Sequence, residues 1–456
     1  MMSKSKITVQ LMSSALLPND NIKLGDRLIK QLRIPTDRSI WLAYGSFKQE
    51  VRVYSGGKTA TLRLHPSLFS RSGLLPRTVL NVKYNALEGT LRLGPLIGVM
   101  VSRYDSRDHG KPFGSISSFC LEMVKACKTQ GAYVYFFTPD MIGSNLSSLE
   151  AVHYDAGWKK ATFPAPDVIN NRLFTRKLEN SPSVQHFMKE VKSRFGTHVF
   201  NEKFLDKSEV FEALGSNEKL QPYLPESYLL RNFNTLKAMC RTHSTVFLKP
   251  VRGSLGTGII RITRQGDGTY QTMTTSLAGT KKKTYPSLLK LFSTISLKMR
   301  KTRYQIQQGL DLIRIQGRNV DFRALVHKNK SGDWSVTSIV ARIAGDNHFV
   351  SNLARGGSLS TVKDALASSG VPLTARQTAL PRMKQAALEI ASGLEKAIPL
   401  HFGELGIDLA VDTTGHIWLL EVNSKPSKSE NAPLNSAKIR PSAVRLVQYC
   451  RYLSGF

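Results

Sequence analysis

Cysteine is scarce: four residues in 456, at positions 120, 127, 240 and 450, with no C-x-x-C pair. That excludes a disulfide-built scaffold and a cysteine-based zinc module, and the expectation is reduced thiols in a core. The ten histidines contain no H-E-x-x-H, which removes the signature of a helical zinc hydrolase. No apolar run approaches the roughly 18–20 residues needed to cross a bilayer. The opening stretch "MMSKSKITVQLMSSALLPND" lacks a signal-like apolar core, so the expectation is a cytoplasmic protein with no membrane span. Internal repeats and low-complexity tracts are also missing. Acid is in short supply too: 33 Asp and Glu stand against 64 Lys and Arg, a net charge of +31. The basic residues are spread along the chain rather than gathered in a tail. Such a charge favours polyanions, but no nucleic-acid-binding motif accompanies it, so nucleic acid is not expected as a specific partner.

What is present is a chain long enough for roughly two to four domains. Residues 1–92 are rich in short alternating runs such as "EVRVYSGGKTATLRL", with Gly56-Gly57 reading as a hairpin turn. They predict a small β-rich N-terminal domain, a barrel or a sandwich. "GPLIGVMVSR" is then a continuous apolar run of the kind buried in a parallel sheet. A helical pattern follows through Ile116, Phe119, Cys120, Met123, Val124 and Cys127, closed by Gly131 before the strand "AYVYFFTP". This β-α-β order predicts an open α/β domain over 93–175. Helices and strands alternate from 176 to 456, "SPSVQHFMKEVKSRFG" starting at Ser181 and Pro182. The basic "AGTKKKTYPS" (278–287) reads as a loop.

Two segments carry chemistry. In "HSTVFLKPVRGSLGTGIIRIT" the glycines Gly253, Gly256 and Gly258 follow a strand ending at Lys249-Pro250 and precede another strand. That order excludes a P-loop, which needs a helix behind the phosphates. Either a plain hairpin turn or a glycine-rich flap over phosphates fits. In "GELGIDLAVDTTGHIWLLEVNSKP" a tight turn at Thr414-Gly415, with Thr413 facing His416, pairs Val411 with Trp418, Leu409 with Leu420 and Ile407 with Val422 on one apolar face. The other face then sets Asp408 against Glu421, with Asn423 two residues on. Facing carboxylates repel unless a cation lies between them, and an oxygen-only donor set suits Mg²⁺. A solvated polar face, with which Asp412 is consistent, is the plainer alternative.

These residues resemble the ATP-grasp superfamily. "EVNSKP" is similar to its metal-binding E-x-N strand, "FLKPVRGSLGTGI" to its lysine strand and glycine loop, and "DKSEVFEAL" to the helix start that supplies a second nucleotide lysine. "VDFRALV" and "ARIAGDNHFVSNLARGG" look most like the ribosomal-protein glutamate ligase branch. The whole-chain order, with "FPAPDVINNR" ahead of the grasp segment, resembles the YheC/YheD family of endospore-coat-associated proteins. The implied fold class is α/β: a small β-domain, an open α/β pre-grasp domain, and an α+β ATP-grasp domain with a glycine-loop subdomain at about 205–305 and a metal-site subdomain at about 306–440.

The resemblance also implies roles. Lys207 and Lys249 would contact nucleotide phosphates under a loop made of Gly253, Ser254, Gly256, Thr257 and Gly258. The backbone around Gln307, Gln308 and Leu310 would read adenine, although glutamines replace the more usual acidic residue. Asp408, Glu421 and Asn423 would hold one or two Mg²⁺ ions, with Mn²⁺ as a substitute. Arg342 and Arg355, joined by Asn352, are candidates for the γ-phosphate and a developing acyl phosphate, and Gly356-Gly357 leaves room for an acceptor. Arg323 shares a strand face with Asp321, where a structural ion pair is the alternative to catalysis. The expected activity is an ATP-dependent carboxylate–amine ligase releasing ADP and phosphate. Its partners would be a carboxylate and an amine, with an acidic polymer or spore-coat components further along. A non-catalytic ATP-binding coat protein is the competing expectation.

Overall fold

The computed structural model describes residues 5–12, 20–252, 257–276, 279–345, 356–428 and 439–456. The N-terminal strands close into a seven-stranded barrel, filled by alternating side chains such as Ile7, Val9, Leu42, Tyr44, Leu62 and Leu64. The Gly56-Gly57 hairpin expected from the sequence does not form. Strands Phe47–Ser55 and Thr61–Leu64 both pair with Asn21–Leu24, which lies between them. Gly56 is required for another reason: its amide donates to the Leu24 carbonyl at 2.8 Å, and a Cβ there would come within 3.0 Å of that backbone.

The second unit is an open sheet with parallel strands at its centre. Leu96–Met100 pairs in parallel with Tyr133–Phe137 on one side and Val168–Asn171 on the other. The helical periodicity holds: Ser117–Gln130 buries Phe119, Cys120, Met123 and Cys127, and Gly131 ends the helix in the left-handed region at φ +68°. All four cysteines are free and buried. The C-terminal helix Pro441–Leu453 returns to this unit and packs Leu446, Val447 and Cys450 into the same core. Just beyond it, Lys83 of the barrel donates to the carbonyls of Ser454 and Gly455.

Two further antiparallel sheets follow. One runs in the order Ser227–Leu229, Tyr304–Gln308, Thr245–Pro250, Ile260–Arg264, Tyr270–Ser276, Gly279–Tyr285. Helices Phe233–Thr242 and Leu288–Met299 contribute to its core. The basic segment read as a loop is therefore the outermost strand of this sheet, with Lys281, Lys282 and Lys283 exposed. Consecutive lysines hide a strand from pattern analysis, yet charged side chains are what an unprotected sheet edge carries. The last sheet centres on Arg318–Lys328, flanked by Trp334–Ile343 and by Glu404–Val411, which in turn pairs with Ile417–Asn423. The long helix Leu373–Ala397 covers its apolar face.

Asn201, just past the strand His198–Phe200 of the α/β unit, fastens that unit to the last sheet. Fully buried at φ +55°, it donates to the carbonyls of Glu404 (2.8 Å) and Ser424 and accepts from the amides of Gly403 (2.9 Å) and Glu404 (3.2 Å). Asn201→Leu strands those backbone groups without water. It should cost about 2–4 kcal/mol in urea unfolding; a change under about 0.5 kcal/mol would show that Asn201 fastens nothing.

Candidate functional site

Strand alternation sets the site. In Thr245–Pro250 the buried Val246 and Leu248 pack under the helices, which turns Phe247 and Lys249 to the opposite face. In Glu404–Val411, Leu405, Ile407 and Leu409 pack against the covering helix. Glu404, Gly406 and Asp408 then line the other side. Asp408 stands directly across from Glu421, and Ile407 across from Val422, in the expected register.

Closer to the turn the register differs. A bulge after Asp408 pairs Leu409 with Leu419 and Val411 with Ile417, not with Leu420 and Trp418. Ile417 and Leu419 are the residues buried in the core. The cause is Asp412, which is a turn organiser and not a solvated face residue. Its carboxylate accepts from the amides of Thr414 and His416, from the Thr414 hydroxyl, and from Trp418 Nε1 at 2.8 Å. The bulge adds one residue and leaves the Asp408–Glu421 pairing intact.

The two carboxylates are compensated by side-chain cations of the protein. Arg323 grips Asp408 through Nε and Nη2, and Arg342 Nη2 lies 2.9 Å from Asp408 Oδ2. Arg342 also makes a two-pronged contact with Asp321 at 2.6 and 3.0 Å. Lys207, first residue of helix Lys207–Gly215, reaches Glu421 Oε1 at 2.7 Å. Lys249 donates to the side-chain amide oxygen Oε1 of Gln307. Burial alone would raise the Asp408 pKa, but the guanidiniums of Arg323 and Arg342 outweigh it and hold the group at about 2. Burial pulls Lys249 down to about 8; Lys207 pushes the same way, while Glu421 and Asp408 oppose. Four cations meeting three carboxylates leave this cluster one positive charge in excess, a setting that favours an incoming anion.

Thr257 and Gly258 lie between the two strands, Gly258 at φ +76°, so the context is strand–loop–strand. Gly253, Ser254 and Gly256 lie outside the described residues, as do Asn352 and Arg355. Gln307 shares the cleft face with Lys249 and donates to Ser227 at 3.0 Å. Gln308 instead accepts from the Glu226 amide. Gly309 precedes Leu310 and donates its amide to the Thr245 carbonyl at 2.9 Å. Asn423 lies two residues beyond Glu421 on the same strand. Among the described residues no three His, Cys, Asp or Glu side chains form a metal cluster. A metal would therefore rest on the two carboxylates and the Asn423 amide, an oxygen donor set whose chemistry fits Mg²⁺.

Sequence reasoning missed a second charged cluster on the same face. Glu404, fully buried, pairs with Arg172 at 2.7 Å, with Lys428, and with His327 at 3.3 Å. Burial opposes ionisation of Glu404, yet Lys428 and Arg172 hold its pKa far below normal. Lys428 is depressed to about 8 by burial, and burial also lowers the pKa of His327. The signal available was spacing: Glu404 lies four residues before Asp408 and must share its strand face.

A family model described as YheC/D like ATP-grasp matches residues 196–453. The chain is 29% identical over 367 residues to the endospore coat-associated protein YheD of Bacillus subtilis (strain 168), covering 80% of each. It is 23% identical over 349 residues to YheC of the same organism, covering 74% of this chain and 92% of that one. Solved structures similar to it include the VanG D-Ala:D-Ser ligase of Enterococcus faecalis, at 12% identity and TM-score 0.45 over 79% of this chain and 99% of that one. Another is the D-cycloserine synthetase DcsG, at 10% identity and TM-score 0.47, covering 78% and 99%.

The depressed pKa of Lys249 has a thermodynamic consequence. Below about pH 8 the folded protein holds a charged lysine that the unfolded chain hydrates better, and that penalty fades as pH rises toward the unfolded value of about 10.4. Lys249→Met should therefore raise the melting temperature at pH 7, with the gain shrinking above pH 8. A variant that melts lower than wild type at pH 7 would contradict this.

Proposed function

The chain belongs to the YheC/D-like ATP-grasp family, and on that premise we propose that it is an ATP-dependent ligase joining a carboxylate to an amine through an acyl phosphate. The observation that supports this most is the meeting of Lys207, Lys249, Asp408 and Glu421 in one cleft, although Lys207 and Glu421 lie 214 positions apart.

The chemistry follows from charge. A carboxylate is a poor electrophile, so its oxygen must first take the γ-phosphoryl group of ATP, releasing ADP. The amine then attacks the acyl carbon, the amide bond forms, and phosphate leaves. No protein nucleophile is needed; positioning and electrostatics lower the barrier. Lys249 and Lys207 hold the triphosphate, with Lys207 drawn off Glu421 as it does so. That frees Glu421 to act with Asp408 and Asn423 as the ligand set for Mg²⁺, which would supply neutralisation of the phosphate oxygens. Arg342, and Arg355 with Asn352 from the neighbouring segment, meet the charge on the transferred group, and Arg323 positions Asp408. The segment Gly253, Ser254, Gly256, Thr257 and Gly258 closes over the phosphates and excludes water. The backbone of Gln307, Gln308 and Leu310 faces the adenine. The similar B. subtilis proteins are named endospore coat-associated, and on this reading the ligase serves assembly of the spore coat or envelope.

A second reading, a non-catalytic ATP-binding coat protein, draws on one feature: two arginines already engage Asp408. Release of ADP and phosphate, screened over amino acids, peptides and acidic polymers, separates the two. Glu421→Gln and Lys249→Ala should each lower turnover by about 10²-fold or more, the scale of losing a key electrostatic group. Turnover unchanged in both variants would defeat the ligase assignment, and tight ATP binding without turnover on any pair would favour the second reading.

Lys249 supplies a check that does not need the substrate. A triphosphate favours its charged form, so ATP binding near pH 8 should take up a fraction of a proton that vanishes near pH 6. Calorimetry in buffers of different ionisation heat reads it directly. Proton release at pH 8 would mean that the nucleotide does not meet this lysine.

A further inference from the structure

The positive charge is unevenly distributed over the fold. Between Ser227 and Leu310 the chain carries fifteen Lys and Arg and a single acid, Asp267. That surplus of fourteen, out of +31 for 456 residues, lies in one 84-residue lobe: the six-stranded sheet with Lys249 and its two helices. Holding a triphosphate engages Lys249 of this lobe and Lys207 from outside it. Most of the lobe's charge is left for something else.

Its placement indicates what. The outermost strand, Gly279–Tyr285, presents three consecutive exposed lysines, Lys281, Lys282 and Lys283. Among the described residues no strand pairs its outer edge. Cross-strand register then sets Lys282 beside Met273, Met273 beside Arg261, and Arg261 beside Phe247, all on the face that bears Lys249. Arg261 Nε is buried there and has no hydrogen-bond partner among the described residues. Three strand spacings, about 14 Å, separate the lysine edge from the Lys249 strand. The cations thus form a track from the rim of the lobe to the cleft. Half-buried Met273 and Phe247 alternate with these cations on the same face. Apolar and cationic groups side by side suit a chain of carboxylates with interspersed apolar side chains better than a phosphodiester backbone.

We propose that this lobe is the docking surface for an extended acidic polypeptide, which lies along Lys281–Lys283 and passes Arg261 toward the cleft. The inference rests on the ligase reading above: the polypeptide would deliver the reacting carboxylate or amine to the site. Steering by such a field raises the local concentration of a polyanion and weakens with salt.

The test uses the full chain and fluorescent poly-L-glutamate of roughly 50 residues, followed by anisotropy at about 0.15 M salt. Replacing Lys281, Lys282 and Lys283 by glutamate should weaken binding by about tenfold or more, and replacing them by glutamine should give a smaller loss in the same direction. A control reversal of the exposed Lys30, Lys58 and Lys189, with the same change in net charge, should shift it by less than about threefold. ATP affinity, measured by calorimetry, should be the same in all four proteins. Loss of ATP binding in wild type would remove the ligase reading, whereas the polyglutamate result speaks to the docking surface alone. Equal losses in the lobe and control variants, no binding by wild type, or tighter binding of a DNA duplex or anionic vesicles through the same lysines would overturn the proposal.

Discussion

Asp408 and Glu421 face each other across adjacent strands, and a sheet tolerates that only if positive charge reaches both. Much of the surrounding structure meets this requirement. Arg323 and Arg342 come from two preceding strands of the same sheet, while Lys207 comes from the start of a helix packed in the same core. The bulge beside Asp408 absorbs a mismatch in the hairpin without disturbing the acidic pair. Gly406, two residues before Asp408, leaves space that Pro426 fills; a Cβ there would come within 2.8 Å of it. The protein thus carries its own counter-charges at the point where the proposed reaction needs external ones. We infer that Lys207 is the cation that exchanges, because its ammonium is carried on a flexible four-carbon stem, whereas Arg323 and Arg342 each grip a carboxylate through a planar two-pronged fork.

The Glu404 cluster serves another end. Arg172 belongs to the α/β unit, His327 and Glu404 to the last sheet, and Lys428 to the segment that follows it. Buried ion pairs add little net stability, since desolvation offsets attraction, but breaking one leaves an uncompensated charge. The arrangement therefore fixes how the units meet more than how strongly they hold. Asn201 does the same with neutral hydrogen bonds. Together they tie the sheet that carries the acidic pair to the α/β unit.

How much of this was legible depended on how local each signal was. The Asp408–Glu421 pairing followed from apolar alternation within one hairpin, and the strand–loop–strand setting of Lys249 from the runs on either side of it. The buried face of Phe119, Cys120, Met123 and Cys127 came from helical spacing. Features set by distant partners were hidden. Gly56-Gly57 reads as a turn until the strand from Asn21 to Leu24 is seen to pass between its neighbours. The bulge is dictated by one side chain, Asp412, closing a turn. Lys281–Lys283 form a strand only because a sheet ends there. Nothing in the chain near Arg342 announces that it binds both Asp321 and Asp408, since those partners lie 21 and 66 positions away.

The central claim is that the acidic pair is neutralised from within until a triphosphate draws Lys207 away. Titration with Mn²⁺, followed by loss of the free-ion paramagnetic signal, tests it most directly when run with and without a non-hydrolysable ATP analogue. The account predicts weak binding of the ion alone and affinity at least about tenfold higher, beyond that of the analogue free in solution, when the analogue is present. Equally tight binding without nucleotide, or none with it, would contradict the account.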